Sequence, residues 1–338
     1  MLTELRSDTF TKPGQGMLEA MMKAEVGDDV FGEDPSVNAL QAYAANLFGM
    51  EAALFCPSGT MTNQIAINCH TRPGDEVICE ESSHVYLYEG GGISFNSGCQ
   101  AKLIKGDRGM LSANLIASAL HAEDIHKPFT RLVCLENTSN RGGGSCYQFE
   151  DIKAISNLCR ENNLALHLDG ARVWNAIVNC NENPQDYGKA FDSISVCLSK
   201  GLGTPLGSLL IGDSKFIHQA RRIRKVLGGA MRQAGYMAAA GLYALANNIE
   251  RLEEDHRHAK KVADLLMQKD FVGKMLPVET NIIIFEVIED YTARSFCDKL
   301  KEYEVLCIPI SPTQVRMVFH LDVSTQMVND LLEILDTF

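Results

Sequence analysis

Asp169 and Lys200 are the residues whose placement points most directly to chemistry. Leu164-Ala165-Leu166-His167-Leu168 is a short apolar run that stops at Asp169-Gly170-Ala171-Arg172. A second run, Ile194-Ser195-Val196-Cys197-Leu198, stops at Ser199-Lys200-Gly201. Each reads as a buried strand with a charged residue just past its end, where open α/β sheets place their ligands. An acid and a lysine at two strand mouths suit pyridoxal phosphate. The lysine forms a Schiff base with the cofactor aldehyde, and the carboxylate keeps the pyridine nitrogen protonated so that the ring accepts electrons. Taken singly, either residue reads as an ordinary loop charge. Together, and with the turn described next, they favour the cofactor.

That turn is Cys56-Pro57-Ser58-Gly59-Thr60, between a short strand at 52–55 and a helix from Met61 to about His70. A glycine among hydroxyl residues at a helix start aims N–H and O–H donors at an anion, so Ser58, Gly59 and Thr60 are phosphate-binding candidates. By itself the motif is equally a plain N-cap. His84 lies just beyond a strand at 76–79 and is placed to stack on a ring or move a proton. His126 lies in the loop before a strand at 131–137. His167 and Asp169 are two apart on one strand and share a face, so His167 either orients Asp169 or is a core histidine. Gly201-Leu202-Gly203-Thr204-Pro205-Leu206-Gly207 lacks the spacing of a nucleotide loop. His256 and His258 face different ways on a helix and make no metal pair.

Around these residues, strand and helix patterns alternate as far as Gly212, which predicts a mostly parallel sheet covered on both faces. Residues 17–24 and 36–48 read as helices, and 26–35 as a polar loop. Residues 233–268 read as one long helix or two joined ones. A smaller α+β unit follows, with strands at 281–287, 305–310 and 315–319 and a final amphipathic helix. The expected division is an N-terminal segment, 1–25, packed on the large domain or a neighbouring subunit; a cofactor-binding large domain, 26–245; and a small C-terminal α+β domain, 246–338. The 338 residues suffice for both. A formal net charge of -12 argues against nucleic acid or an anionic membrane as partner. The 11 cysteines are odd in number and contain no Cys-x-x-Cys pair, which favours buried reduced thiols over disulfides or zinc. No stretch is long and apolar enough to span a bilayer, and the first residues lack an apolar leader, so the cytoplasm is the expected compartment.

With these residues assembled, the chain resembles the low-specificity L-threonine aldolases, pyridoxal-phosphate enzymes of the aspartate-aminotransferase-like fold (fold type I). The resemblance runs nearly end to end. It is carried by Leu5-Arg6-Ser7-Asp8-Thr9, by 26–35, by Pro57-Ser58-Gly59-Thr60-Met61 and by Leu135-Glu136-Asn137-Thr138. It continues through His167-Leu168-Asp169-Gly170-Ala171-Arg172, Cys197-Leu198-Ser199-Lys200-Gly201, Met231-Arg232-Gln233-Ala234-Gly235 and Val315-Arg316. It implies that Lys200 carries the cofactor, Asp169 meets the pyridine nitrogen, and Gly59 and Thr60 hold the phosphate. Arg232 would reach the phosphate from a neighbouring subunit. Ser7, Arg172 and Arg316 would bind the substrate carboxylate, a task suited to the guanidinium fork. His84 would stack on the ring and His126 would sit near the β-substituent. The resemblance further implies a homotetramer and a cation near Thr9.

Two departures stand out. The family usually continues Leu-Glu-Asn-Thr with His-Asn, where this chain has Ser139-Asn140, and it commonly has Tyr where this chain has Phe31. The implied reaction is retro-aldol cleavage of an L-β-hydroxy-α-amino acid, with His84, His126 or a water as base. The competing readings are β-elimination, racemisation or transamination on the same scaffold, and a pyridoxal-phosphate-binding protein without catalysis.

Overall fold

The computed structural model describes residues 2–338. In chain order, Thr3–Glu4 is β1, Ala52–Cys56 β2, Glu76–Glu80 β3, Gln100–Ile104 β4, Thr130–Glu136 β5, Ala165–Gly170 β6, Ser193–Cys197 β7 and Ser208–Gly212 β8. Strands β2 to β8 form one seven-stranded sheet in the order β2-β8-β7-β6-β5-β3-β4. Strand β8 runs antiparallel to β2 and β7, and the remaining neighbours are parallel. Because β2 and β7 flank β8, they point the same way. The C-terminal ends of β2, β3, β5, β6 and β7 therefore open on one edge of the sheet. Strands β3, β7 and β8 are buried along their whole length, as a sheet covered on both faces requires.

The helix Gly59–His70 follows β2 and runs back from that edge towards the opposite one. Ser58 caps its start by accepting the Met61 N–H at 3.2 Å. Twelve residues span about 18 Å, and Thr62 to Ile67 press into the sheet. The large core is built from Leu40, Phe48, Trp174, Ile194 and their neighbours.

The C-terminal unit has its own core, including Phe285, Phe296, Val315 and Leu331. Its strands are Val272–Met275 (β9), Ile282–Val287 (β10), Val305–Leu306 (β11), Ile308–Pro309 (β12) and Gln314–Val318 (β13). They make a four-stranded antiparallel sheet ordered β12-β13-β10-β9, while β11 pairs with β1 instead. The single strand expected at 305–310 is thus two strands split at Cys307. The stretch 233–268 resolves into two helices, Gly235–Asn247 and Leu252–Leu266. The N-terminal segment serves both units. Thr3 and Leu5 alternate inward and place Leu5 in the C-terminal core, whereas Met17, on the helix Gln15–Met22, joins the large core. No helix among the described residues is long and apolar enough to cross a membrane, and all 11 cysteines are free thiols.

Candidate active site

Asp169 sits at the end of β6, 2 % exposed. Its Oδ1 accepts the Ala171 N–H at 3.1 Å, and its Oδ2 accepts Nδ2 of Asn63 at 2.9 Å. The same Asn63 amide donates to Oε1 of Glu89 at 2.8 Å, and Gln64 donates to Oε2 of Glu89 at 2.6 Å. Next to Asp169 in the sheet, Glu136 at the end of β5 accepts the backbone N–H groups of His84 at 2.8 Å and Asn140 at 2.9 Å. Burial and the Asp169 charge push the Glu136 carboxyl up, partly opposed by those N–H bonds and by His84.

His84 opens a short helix, and its Nδ1 lies 3.0 Å from Glu89 Oε1. A carboxylate acceptor fixes Nδ1–H on the ring and leaves Nε2 as the proton-accepting end. Burial pushes the His84 imidazole down, but the hydrogen bond to Glu89 and the charges of Asp169 and Glu89 outweigh it, so the net direction is upward. The Lys200 charge opposes that rise, which places Lys200 in the same electrostatic neighbourhood. Lys200 follows β7, and its Nζ makes no hydrogen bond or ion pair among the described residues.

Three cations converge on one buried acid here. Arg172 donates from Nε and Nη2 to the two oxygens of Asp8, each at 2.7 Å. Asp8 is completely buried, and Lys200 lowers its carboxyl together with Arg172. Arg316, on β13, donates from Nη1 to Oδ1 of Asn140 at 2.9 Å and from Nη2 to the Arg6 carbonyl at 3.1 Å. Its Nε is buried and unpartnered. Burial pushes the Arg316 guanidinium down, and the nearby Arg172 charge adds to it. Asp8 answers Arg172, so a second anion beside Arg316 would relieve an uncompensated charge. An amino-acid carboxylate meets that need.

The turn at Ser58–Thr60 has the chemistry of a phosphate cradle. The Gly59 and Thr60 N–H groups lie in the first helical turn, where no internal partner exists. Ser208 Oγ is buried and unpartnered, and a Cβ built on Gly59 would meet it at 3.4 Å. The free amine of Lys200, the strand-end carboxylate of Asp169 and this turn suit pyridoxal phosphate.

Not every sequence candidate joins the site within one chain. His126 lies on the loop before β5, at the opposite edge of the sheet from Asp169. Its side chain is 81 % exposed and pairs with Asp124 at 2.8 Å. Arg232 is half exposed and pairs with Asp28 at 2.8 Å, over the Phe31 ring. Ser7 caps a turn through the Thr9 N–H, and Thr9 is exposed with its hydroxyl 2.9 Å from Ser7 Oγ. A cation at Thr9 would find Asp8 already committed to Arg172. The one group of three close acidic or histidine ligands among the described residues is His84, Glu89 and Asp169. Ser139 Oγ accepts the Gly142 N–H at 3.2 Å inside its own turn, so the hydroxyl is used structurally. Sequence reasoning missed the roles of Asn63, Glu89 and Asn140. A buried amide pair, Asn63-Gln64, one turn after the anion-binding glycine was the available signal for the first.

The beta-eliminating lyase family matches residues 4–290 of this chain. The low specificity L-threonine aldolase of Escherichia coli K12 is 44% identical over 331 residues, covering 98% of this chain and 97% of that protein. Among solved structures, the threonine aldolase of Leishmania major superposes with a TM-score of 0.87 at 21% identity, covering 99% of both chains. An aspartate aminotransferase of Thermotoga maritima superposes at 0.74 and 16% identity, covering 99% of this chain and 92% of that one. At these identities the two superpositions establish the fold: fold type I, the aspartate-aminotransferase-like architecture.

Proposed function

The chain belongs to the beta-eliminating lyase family, and we propose that it is a threonine aldolase within it, cleaving L-threonine, L-allo-threonine and related L-β-hydroxy-α-amino acids to glycine and an aldehyde. The observation that carries this reading is the buried Asp8–Arg172 pair with the partly exposed cations Arg316 and Lys200 close enough to act on it, beside the strand-end carboxylate Asp169. Pyridoxal phosphate, attached at Lys200 and seated on Ser58, Gly59, Thr60 and Asp169, would supply the electron sink that makes the Cα–Cβ bond breakable.

This chain's own residues do the rest. Arg316 and Arg172 take the substrate carboxylate; Asp8 holds the Arg172 fork in one orientation, so that little order is lost on binding. Asn140 and the Arg6 carbonyl do the same for Arg316. Fixing the carboxylate decides which bond at Cα is presented. His84 Nε2 accepts the β-hydroxyl proton, and Glu89, bonded to Nδ1, stabilises the imidazolium that results. His84 is a better base candidate than His126, which in the single chain lies at the far edge of the sheet.

We extend the proposal to a homotetramer in the cytoplasm. Exposed Met22, Phe31, Phe95 and Val226 support subunit contacts, and the 11 free thiols support a reducing compartment. In a tetramer, Arg232 would serve a neighbour's phosphate.

Chiral chromatography with mass-spectrometric detection of the products from L-threonine and pyridoxal-phosphate-loaded protein tests the function. Glycine with acetaldehyde supports it. A keto acid with ammonia, or the inverted amino acid, would replace it with elimination or racemisation.

A further inference from the structure

The face of β6 and β7 that meets the helix Gly59–His70 is polar, and it is continuous. Strand parity puts His167 with Asp169 on that face, and register sets Ser193 opposite His167 and Ser195 opposite Asp169. Asn63 and His70 are seven residues apart on the helix, two turns along one face, about 10 Å apart along the axis. The contacts join end to end. Asp169 Oδ2 is 2.9 Å from Asn63 Nδ2, and Asn63 Oδ1 is 3.1 Å from His167 Nε2. His167 Nδ1 is 2.8 Å from Ser193 Oγ, which is 2.8 Å from His70 Nε2. Asn63, His167 and Ser193 are each no more than 1 % exposed.

The direction of every proton in this chain is determined by its inner end. Asn63 faces two carboxylates, Asp169 and Glu89, so both contacts must be made by the amide NH2. Its Oδ1 is then turned to His167 and accepts, which puts the proton on His167 Nε2. The Nδ1 of a neutral His167 is left to accept from the Ser193 hydroxyl. Ser193 Oγ in turn accepts from His70 Nε2–H. Burial pushes His167 down to about 3 and His70 to about 4, with the other histidine's charge also lowering His167. Both rings are therefore neutral, as the alternation of donor and acceptor demands. Reversing any link would set two lone pairs together in a buried seam, where unpaired polar groups are costly.

We propose that His70, Ser193, His167 and Asn63 form a one-way hydrogen-bond chain that positions Asp169 and aims every donor at it, coupling the far edge of the sheet to the ring-nitrogen end of the site. These are positioning residues, with His70 as the outermost. The functional consequence rests on the reading that Asp169 meets the cofactor ring. The direction of the chain does not, and it can be measured without cofactor.

The test is solid-state NMR of apoprotein labelled with 15N-histidine, with the His167 signals assigned by their loss in His167→Asn. The chain requires His167 as the neutral Nε2–H tautomer. His70→Phe keeps the ring that stacks on Phe216 at 4.6 Å but removes the donor. In that variant His167 should keep the Nε2–H tautomer that Asn63 sets, but its Nδ1 signal should shift because the Ser193 hydroxyl has lost the N–H it accepts; His70→Gln, which restores an N–H donor, should return that signal. On adding pyridoxal phosphate, His70→Phe should bind about threefold to tenfold more weakly, with a displaced absorbance maximum for the bound cofactor. An Nδ1–H tautomer of His167 in the parent protein would overturn the proposal, as would a His167 Nδ1 signal unmoved by His70→Phe. Correct His167 signals with unchanged cofactor affinity and spectrum would refute the coupling to Asp169. Absent cofactor binding in the parent protein, with the tautomer as required, would defeat the functional reading while leaving the chain itself in place.

Discussion

Replacing Asp8 with Asn is the perturbation whose size the structure sets most clearly. Asp8 is fully buried and receives both arms of the Arg172 fork at 2.7 Å. Burial alone would push its carboxyl up, but Arg172, Lys200 and Asn281 bring it from 3.8 down to about 2. That difference, at about 1.36 kcal/mol for each tenfold in proton affinity, is worth about 2.4 kcal/mol. A folded-state value below the unfolded one means this stability is present above about pH 4 and is lost as the pH falls towards 2. At neutral pH, Asp8→Asn removes it and also strands a buried guanidinium, a change that costs about 3–5 kcal/mol. The larger figure should govern, because Arg172 stays buried. Urea unfolding at fixed protein concentration, read by the fluorescence of the single tryptophan, is the assay. Trp174 is buried and two residues from Arg172. The variant should lose at least about 2 kcal/mol at pH 7, and its deficit should shrink as the pH falls below 4. A deficit under about 0.5 kcal/mol, or one that does not change with pH, would refute the reasoning.

Three further outcomes follow from the same geometry. Glu89→Gln removes the negative charge that helps raise His84, so the acidic limb of the kcat/KM profile should move to lower pH while the plateau falls; an unmoved limb would take His84 out of the base role. Arg316→Ala should reduce kcat/KM by about ten- to a hundredfold, mainly through KM, because a charged hydrogen bond to substrate is lost; an unchanged KM would remove Arg316 from the carboxylate site. Lys200→Ala should lose the visible band of the bound cofactor, and a borohydride-fixed adduct persisting in that variant would show attachment elsewhere.

The parts of the site legible in the sequence are those encoded locally. An apolar strand run ended by Asp169 or Lys200, and a glycine turn before a helix, need no knowledge of what packs against them. Glu89 and Asn63 were not legible because their partners come from elsewhere in the chain: Asn63 and Asp169 are 106 residues apart. The buried pairing of Asp8 with Arg172 spans 164 residues and has no local mark either. The strand break at Cys307 reflects pairing with two different sheets, which periodicity alone does not register. His126 offers the reverse lesson. A loop preceding a parallel strand lies at the edge opposite the strand ends, so its remoteness within one chain follows from topology. Parity puts His167 and Asp169 on one face but leaves open whether His167 orients Asp169 or is a core histidine, because the contact between them runs through an asparagine on a helix that parity does not see.

Acetaldehyde release from L-threonine and L-allo-threonine, followed in a coupled dehydrogenase assay with glycine quantified alongside, tests the central claim most directly. The pyridoxal-phosphate-loaded protein should give acetaldehyde and glycine in equal amounts, and Lys200→Ala should give none. Bound cofactor with no aldehyde from either substrate, or equal release by Lys200→Ala, would contradict it.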